Sequence, residues 1–231
     1  MKYVGSKNRI AKYLLPLILG GRKPGELYVE PFVGGCNIID KVPGDRWGND
    51  MNPYLIAMLR AIQKGWEPPQ SVSEEEYADI KANKDVHPPE LVGYVGFQLS
   101  YGAKWFGGYR RDKVGKRDYP GEAYRNVVKQ SPLLSGIRFT CGSYTDMEIP
   151  AGATVYCDPP YANATSYSHG LNHHAFWAWA HDLSYRGCNV FVSEYAAPDE
   201  WEAIWERRVN SSLDLDRGSK QAVESLFTLR A

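Results

Sequence analysis

The stretch ELYVEPFVGGC, residues 26–36, carries strand-forming residues into a glycine turn, and DRWGNDMNPYLIAMLRAI follows it closely with a second strand. That second strand ends near Asp50, and Pro53 suits the first turn of a helix. Leu55, Met58, Leu59 and Ile62 recur on one face of that helix. Asp50 and Asn52 are rival residues for capping its start. Residues 37–41 can supply a short helix between the two strands. A strand–helix–strand unit of this kind places the chain in the α/β class.

Strand-like runs return much later, at IRFTC (Ile137–Cys141), TVYCD (residues 154–158) and NVFVSE (Asn189–Glu194). HHAFWAWAHDLSYRG reads as a helix stopped by Gly187. RVNSSLDL and ESLFTLR, with Gly218 between them, read as a closing hairpin. The middle of the chain is different in kind. Pro68-Pro69 and Pro88-Pro89 bracket SVSEEEYADIKANKDV, where Ser73 and Glu76 match a capping box and predict a short acidic helix. PELVGYVGFQLSYGAKW predicts a more apolar helix. FGGYRRDKVGKRDYPGEAYRNV is rich in glycine, cations and aromatics and has weak periodicity. The chain therefore divides into a sheet domain, residues 1–66 and 136–231, and an inserted helical and basic segment, residues 67–135.

At 231 residues the chain suits one domain with an insertion, and 43% hydrophobic with 23% charged residues fits a globular protein and not a disordered one. No apolar run has the length of a membrane span, and the first residues lack the small-residue cleavage site of a secretion signal. Cys36, Cys141, Cys157 and Cys188 form no CxxC pair, which fits reduced thiols in a cytoplasm. Lys and Arg total 27, as do Asp and Glu, so net charge says nothing and the distribution of charge decides.

One distribution stands out. Lys104, Arg110, Arg111, Lys113, Lys116 and Arg117 accompany a single acid, Asp112, with Trp105, Phe106 and Tyr109 between them. Cations interleaved with rings suit nucleic acid, where rings stack on bases or fill the gap left by a flipped one; the plainer alternative is a solvated loop with a few core aromatics. Arg207, Arg208, Arg217 and Lys220 form a second basic set that suits phosphates and an ordinary surface equally. His169, His173, His174 and His181 have no Cys or acid completing a ligand set, so no metal site is expected.

The most specific feature is VYCDPPY. Asp158 falls at a strand's carboxyl end, where α/β sheets bind ligands. Pro159 and Pro160 hold the adjoining carbonyls in set directions, and Tyr161 adds a flat face. Two acceptors and a ring suit a planar heterocycle bearing an exocyclic amino group. The glycine turn and Asp50 add a weaker signal, a close backbone approach and an acid for ribose hydroxyls; Gly34-Gly35 is not a dinucleotide fingerprint, so a nicotinamide dehydrogenase is the least favoured reading.

Taken together, YVGSK, EPFVGGC, NDMN, CGSYTD, VYCDPPY, FVSEY and SSLDLDRGSKQAVESLF occur in the order seen in the Dam-like (class alpha, D12) DNA adenine-N6 methyltransferases, which this chain resembles over most of its length. The resemblance implies a Rossmann-like sheet that uses S-adenosyl-L-methionine, with the insertion serving target recognition. It implies donor contacts from Tyr3, Lys7, Glu30, Pro31, Phe32, Gly34, Gly35, Asp50 and Asp158. Asp158, Pro159, Pro160 and Tyr161 would hold a flipped adenine in double-stranded DNA. It places DNA contacts in the segment holding Lys104, Trp105, Tyr109, Arg110, Arg111, Lys113, Lys116 and Arg117. A cytoplasmic, nucleoid-associated monomer or weak dimer of solitary, phage or restriction-modification type is the expectation. Cys36 departs from the family, which often has a further glycine there. An RNA or other amino-group methyltransferase, and a DNA-binding relative without activity, are the alternatives.

Overall fold

Five short strands run parallel: β1 (Tyr28–Glu30), β2 (Arg46–Asp50), β3 (Ile137–Cys141), β4 (Thr154–Cys157) and β5 (Asn189–Glu194). β6 (Trp201–Asn210) and β7 (Gln221–Leu229) pair antiparallel, and β7 also lies antiparallel against β5. The order across the sheet is β3-β2-β1-β4-β5-β7-β6. The computed structural model describes residues 1–112, 114–161, 171–210 and 221–230. The chain moves outward from β1 to β2 and β3, then returns to the other side of β1 for β4. The carboxyl ends of β1 and β4 therefore flank a topological switch point, where open α/β sheets form a crevice.

β1 and β4 are buried along their whole length, and alternate residues feed two cores, as the strand repeat requires. Tyr28 and Tyr156 join one core with Leu14, Ile18, Leu55, Met58, Tyr94 and Phe97. Val29, Val155 and Cys157 join the other with Phe176, Leu183 and Trp201. The first core is covered by α1 (Ala11–Leu19), α2 (Pro53–Gln63), α3 (Glu74–Ala82), α4 (Pro89–Gln98) and α5 (Tyr119–Gln130), and the second by α6 (His173–Tyr185). No helix among the described residues is long and apolar enough to cross a membrane.

Most elements fall where the sequence places them, and the capping box of Ser73 and Glu76 is formed at α3. Asn52, not Asp50, caps α2, its side chain accepting from the N–H groups of Tyr54 and Leu55 at 3.0 Å each. Residues 37–41 hold only a single 3-10 turn, Ile39–Lys41, in place of a helix. α1 and α5 are additions. α5 begins in a Pro-Gly pair that reads as loop, yet Pro120 sits in its first turn and Asp118 caps it through the N–H of Gly121. The closing hairpin starts earlier than expected, at Trp201; residues 211–215 of RVNSSLDL lie outside the described residues.

Candidate active site

Asp158 follows β4 directly and Asp50 ends β2, so both acids reach the crevice from strand ends. The 3-10 turn Lys7–Arg9, capped by Ser6, brings Lys7 to Asp158. Lys7 is 6% exposed. Its ammonium lies 2.9 Å from Asp158 Oδ1 and 3.0 Å from Glu224 Oε1, and donates to the Gly5 carbonyl at 3.1 Å. An ammonium has three N–H donors, and all three are engaged. The same nitrogen sits 4.6 Å from the centre of the Tyr161 ring. Tyr161 donates its hydroxyl to Glu224 Oε1 at 3.2 Å and meets Tyr195 edge to face at 4.6 Å.

This cluster holds one cation and two acids. Burial pushes the Asp158 carboxyl above its ordinary value, Lys7 opposes that, and Glu224 adds to it. Burial pulls the Lys7 ammonium down, and the two carboxylates more than reverse this, so its pKa is raised. Lys7 is therefore charged at neutral pH, and the cluster carries a net charge of −1 when both acids are ionised. Glu224 was not singled out from the sequence. Its partners are distant in the chain, and only the insertion of β7 beside β5 brings it to the crevice.

The glycine turn after β1 is held by Asp50. Its Oδ2 accepts from the N–H of Gly34 at 3.2 Å and its Oδ1 from the N–H of Asn52 at 3.0 Å. Burial raises the Asp50 pKa against these bonds. Tyr3 covers the turn from the other side. A Cβ on Gly34 would lie 2.7 Å from Tyr3 Cε1, and one on Gly35 would lie 2.8 Å from Tyr3 Cβ, so the glycines admit the ring. Gln130, at the end of α5, is 4% exposed and donates to the Gly35 and Cys36 carbonyls at 3.1 Å each. Gln98 of α4 holds the Lys2 backbone from both sides, accepting from its N–H at 3.0 Å and donating to its carbonyl at 2.9 Å. Sequence reading passed over both glutamines, because an isolated glutamine carries no spacing signal. Glu30 is buried and accepts the Tyr28 hydroxyl at 2.8 Å, with burial raising its pKa well above the ordinary range. Phe32 packs between Tyr144 and Phe176.

A family model described as "D12 class N6 adenine-specific DNA methyltransferase" matches residues 3–91 and 97–198. The chain belongs to that family. Among curated proteins it is similar to the DNA adenine methylase of Vibrio cholerae serotype O1, 26% identical over 61% of this chain and 60% of that protein. It is also similar to the Type II methyltransferase M.FokI of Planomicrobium okeanokoites, 22% identical over 96% of this chain and 42% of that protein. The aligned region thus spans about three fifths of the first relative's length, 60%, and less of the second's. Two solved structures align at low similarity. The Escherichia coli methyltransferase yhhF has a TM-score of 0.38 at 10% identity, covering 96% of this chain and 85% of that one. A methyltransferase complexed with SAH has a TM-score of 0.37 at 11% identity, covering 97% and 52%.

Within this D12 chain, Cys36 occupies the backbone conformation that a glycine would take most easily, with φ of 57°. An L residue there costs about 1–2 kcal/mol. The Cys36 side chain is fully buried in the first core, which offsets that strain.

In the basic segment, rings and two arginines find partners within the chain. Trp105 stacks on Tyr54 at 5.6 Å and packs on Phe97 and Phe106. Tyr109 donates its hydroxyl to the Val72 carbonyl at 2.6 Å. These rings make packing contacts within the chain. Arg110 pairs with Glu122 at 3.4 Å and lies over Tyr119, and Arg111 is bound to Glu74 through two hydrogen bonds. Asp112 turns its carboxylate inward on the loop, accepting from the N–H groups of Val114, Lys116 and Arg117. The side chains of Lys104, Lys116 and Arg117 form no ion pair among the described residues. Lys113, His169, Arg217 and Lys220 lie outside the described residues. His173 and His174 open α6, His173 Nδ1 standing 3.7 Å from Glu194 Oε1.

Proposed function

We propose that the chain transfers a methyl group from S-adenosylmethionine to the N6 amino group of an adenine flipped out of duplex DNA. The observation that carries this reading is Asp158-Pro159-Pro160 at the switch-point end of β4, where Lys7 joins Asp158 to Glu224. An amine that accepts a methyl group becomes transiently cationic, and an ionised Asp158 beside it stabilises that state. Asp158 and the Pro159 carbonyl accept the two amino hydrogens and aim the nitrogen lone pair. Because burial raises the proton affinity of Asp158, it is also a suitable acceptor for the proton the methylated nitrogen sheds. No covalent enzyme intermediate is required, and the four cysteines, free in the structure, need play no part.

The residues present fit the donor. S-adenosylmethionine supplies an electrophilic methyl group on a sulfonium. Asp50 accepts the backbone N–H groups of Gly34, Met51 and Asn52 and retains a further lone pair of its carboxylate for a ribose hydroxyl. The negative cluster suits a sulfonium. Lys7 suits a carboxylate only after one of its three present contacts is released, so in the state described here it positions Asp158. Residues 67–135 are the target-recognition segment in this reading, with Lys104, Lys116 and Arg117 among the cations that form no ion pair with the described residues. In this reading the chain acts on DNA in the cytoplasm beside the nucleoid, as a monomer or weak dimer.

The test is direct. The chain is incubated with labelled donor and mixed-sequence duplex DNA, and the nucleosides are analysed by mass spectrometry. N6-methyladenine should form, and Asp158→Ala should lower its rate by at least about a hundredfold, the usual cost of losing one positioned polar group. Methylation of RNA in preference to DNA, or full activity in Asp158→Ala, would overturn the reading.

A further inference from the structure

α1 and β6 meet at the outer edge of the sheet beside the cluster just described. Arg207 of β6 stands opposite Glu224 of β7 in the strand register, and directly opposed residues of an antiparallel pair project from the same face. Glu224 reaches Lys7 on that face, so Arg207 continues the row outward from the site. Its guanidinium carbon lies 5.4 Å from the centre of the Tyr13 ring. Tyr13 stacks on Trp205 with centroids 6.4 Å apart and planes 22° apart. Lys12 converges on the same ring, its ammonium 4.9 Å from the centre. Arg9, in the 3-10 turn that carries Lys7, is exposed, as are Lys12, Tyr13 and Arg207.

None of Arg9, Lys12 and Arg207 has an acid within ion-pair distance among the described residues. Arg110 and Arg111 of the insertion, by contrast, are committed to Glu122 and Glu74. A cation resting on a ring is held in place yet keeps its N–H donors free for a partner. Charged residues on an edge strand also deter strand pairing between molecules. That role calls for neither a supporting ring pair nor a helix lysine converging on the same tyrosine. Unpaired, pre-set cations of one sign are complementary to a phosphate backbone.

Resting on the reading of the chain as a DNA methyltransferase, we propose that Arg9, Lys12 and Arg207, set on Tyr13 and Trp205, form a phosphate-contact surface that holds duplex DNA alongside the methyl-transfer site. Binding of the full chain to a mixed-sequence duplex, followed by fluorescence anisotropy across a salt series, tests it. Each lost phosphate contact removes about 0.9 from the slope of log K against log salt. The double variant Lys12→Gln/Arg207→Gln should bind DNA more weakly with a slope shallower by about 2, and Lys12→Gln alone, at an exposed helix position, by about 1. Arg207→Lys should keep the slope, and donor affinity and melting temperature should match the wild type throughout. Unchanged slopes and affinities in the glutamine variants, with the wild type binding DNA normally, would overturn this surface alone. A lower melting temperature with an unchanged slope would do the same, by making the residues packing elements. No DNA binding by the wild-type chain would overturn both the surface and the reading beneath it.

Discussion

Lys7 is the residue on which the site turns, because its three protons tie Asp158, Glu224 and the Gly5 carbonyl into one cluster. The Glu224 charge raises the Asp158 pKa, and Asp158 acts as acceptor only when ionised. Activity should therefore fall as pH drops through the Asp158 pKa, and that fall should begin above the ordinary carboxylate range. Glu224→Gln keeps an oxygen acceptor for Lys7 and Tyr161 but removes one negative charge. Loss of that charge lowers the Asp158 pKa, so the acid limb of kcat/KM against pH should move to lower pH in Glu224→Gln. An unmoved limb would mean that Asp158 is not the group titrating. Tyr3, Lys7, Asp50 and Asp158 lie in short motifs that resemble those of the family, and the fold gathers these motifs around one crevice. Glu224 was not legible in the sequence, because its role depends on where β7 enters the sheet. The strained φ of Cys36 was legible only as a departure from glycine.

The elements show where local pattern suffices and where it fails. Strand-like runs closed by turns marked all five parallel strands, and the Ser73–Glu76 spacing marked α3. Packing between helices is less visible in sequence. α2 and α4 approach so closely at Gly93 that a Cβ there would lie 2.1 Å from the Tyr54 carbonyl oxygen. Backbone cannot yield as a side chain does, so Gly93→Ala should destabilise by about 1–3 kcal/mol or more, read as a lower urea midpoint with an unchanged m-value. Stability within about 0.5 kcal/mol of wild type, the range of ordinary surface changes, would show that the helices separate at little cost. The contact matters for the site because α2 starts at Asn52, bonded to Asp50, while α4 ends at Gln98, which clasps Lys2. The insertion is thus seated on the core that carries the glycine turn. Its rings, read as candidates for stacking on bases, were indistinguishable by sequence from rings that pack on Gly96 and Tyr77.

At the scale of the molecule, the candidate site gathers residues 3–7, 30–36, 50, 158–161 and 224, segments that only the folded sheet brings together. A ligand spanning them binds the folded chain and has nothing equivalent to bind in the unfolded one. Its stabilisation is then set by mass action, about 2.7 kcal/mol at a hundredfold excess over Kd. For a chain of 231 residues, each kcal/mol raises the melting temperature by about 2–4 °C. Saturating S-adenosylmethionine should accordingly raise Tm by roughly 5–11 °C at that excess. Asp50→Ala removes the proposed acceptor for the ribose and the tie to the Gly34 N–H, so its own Tm should be lower and its donor-induced shift should largely vanish. The negative cluster adds a second, finer expectation. S-adenosylhomocysteine presents the same ribose and adenine but a neutral thioether, so it should stabilise the chain less than the sulfonium does at equal concentration. Equal shifts for the two would place the cluster too far from the sulfur to act on it, and a shift retained in Asp50→Ala would move the ribose elsewhere in the crevice.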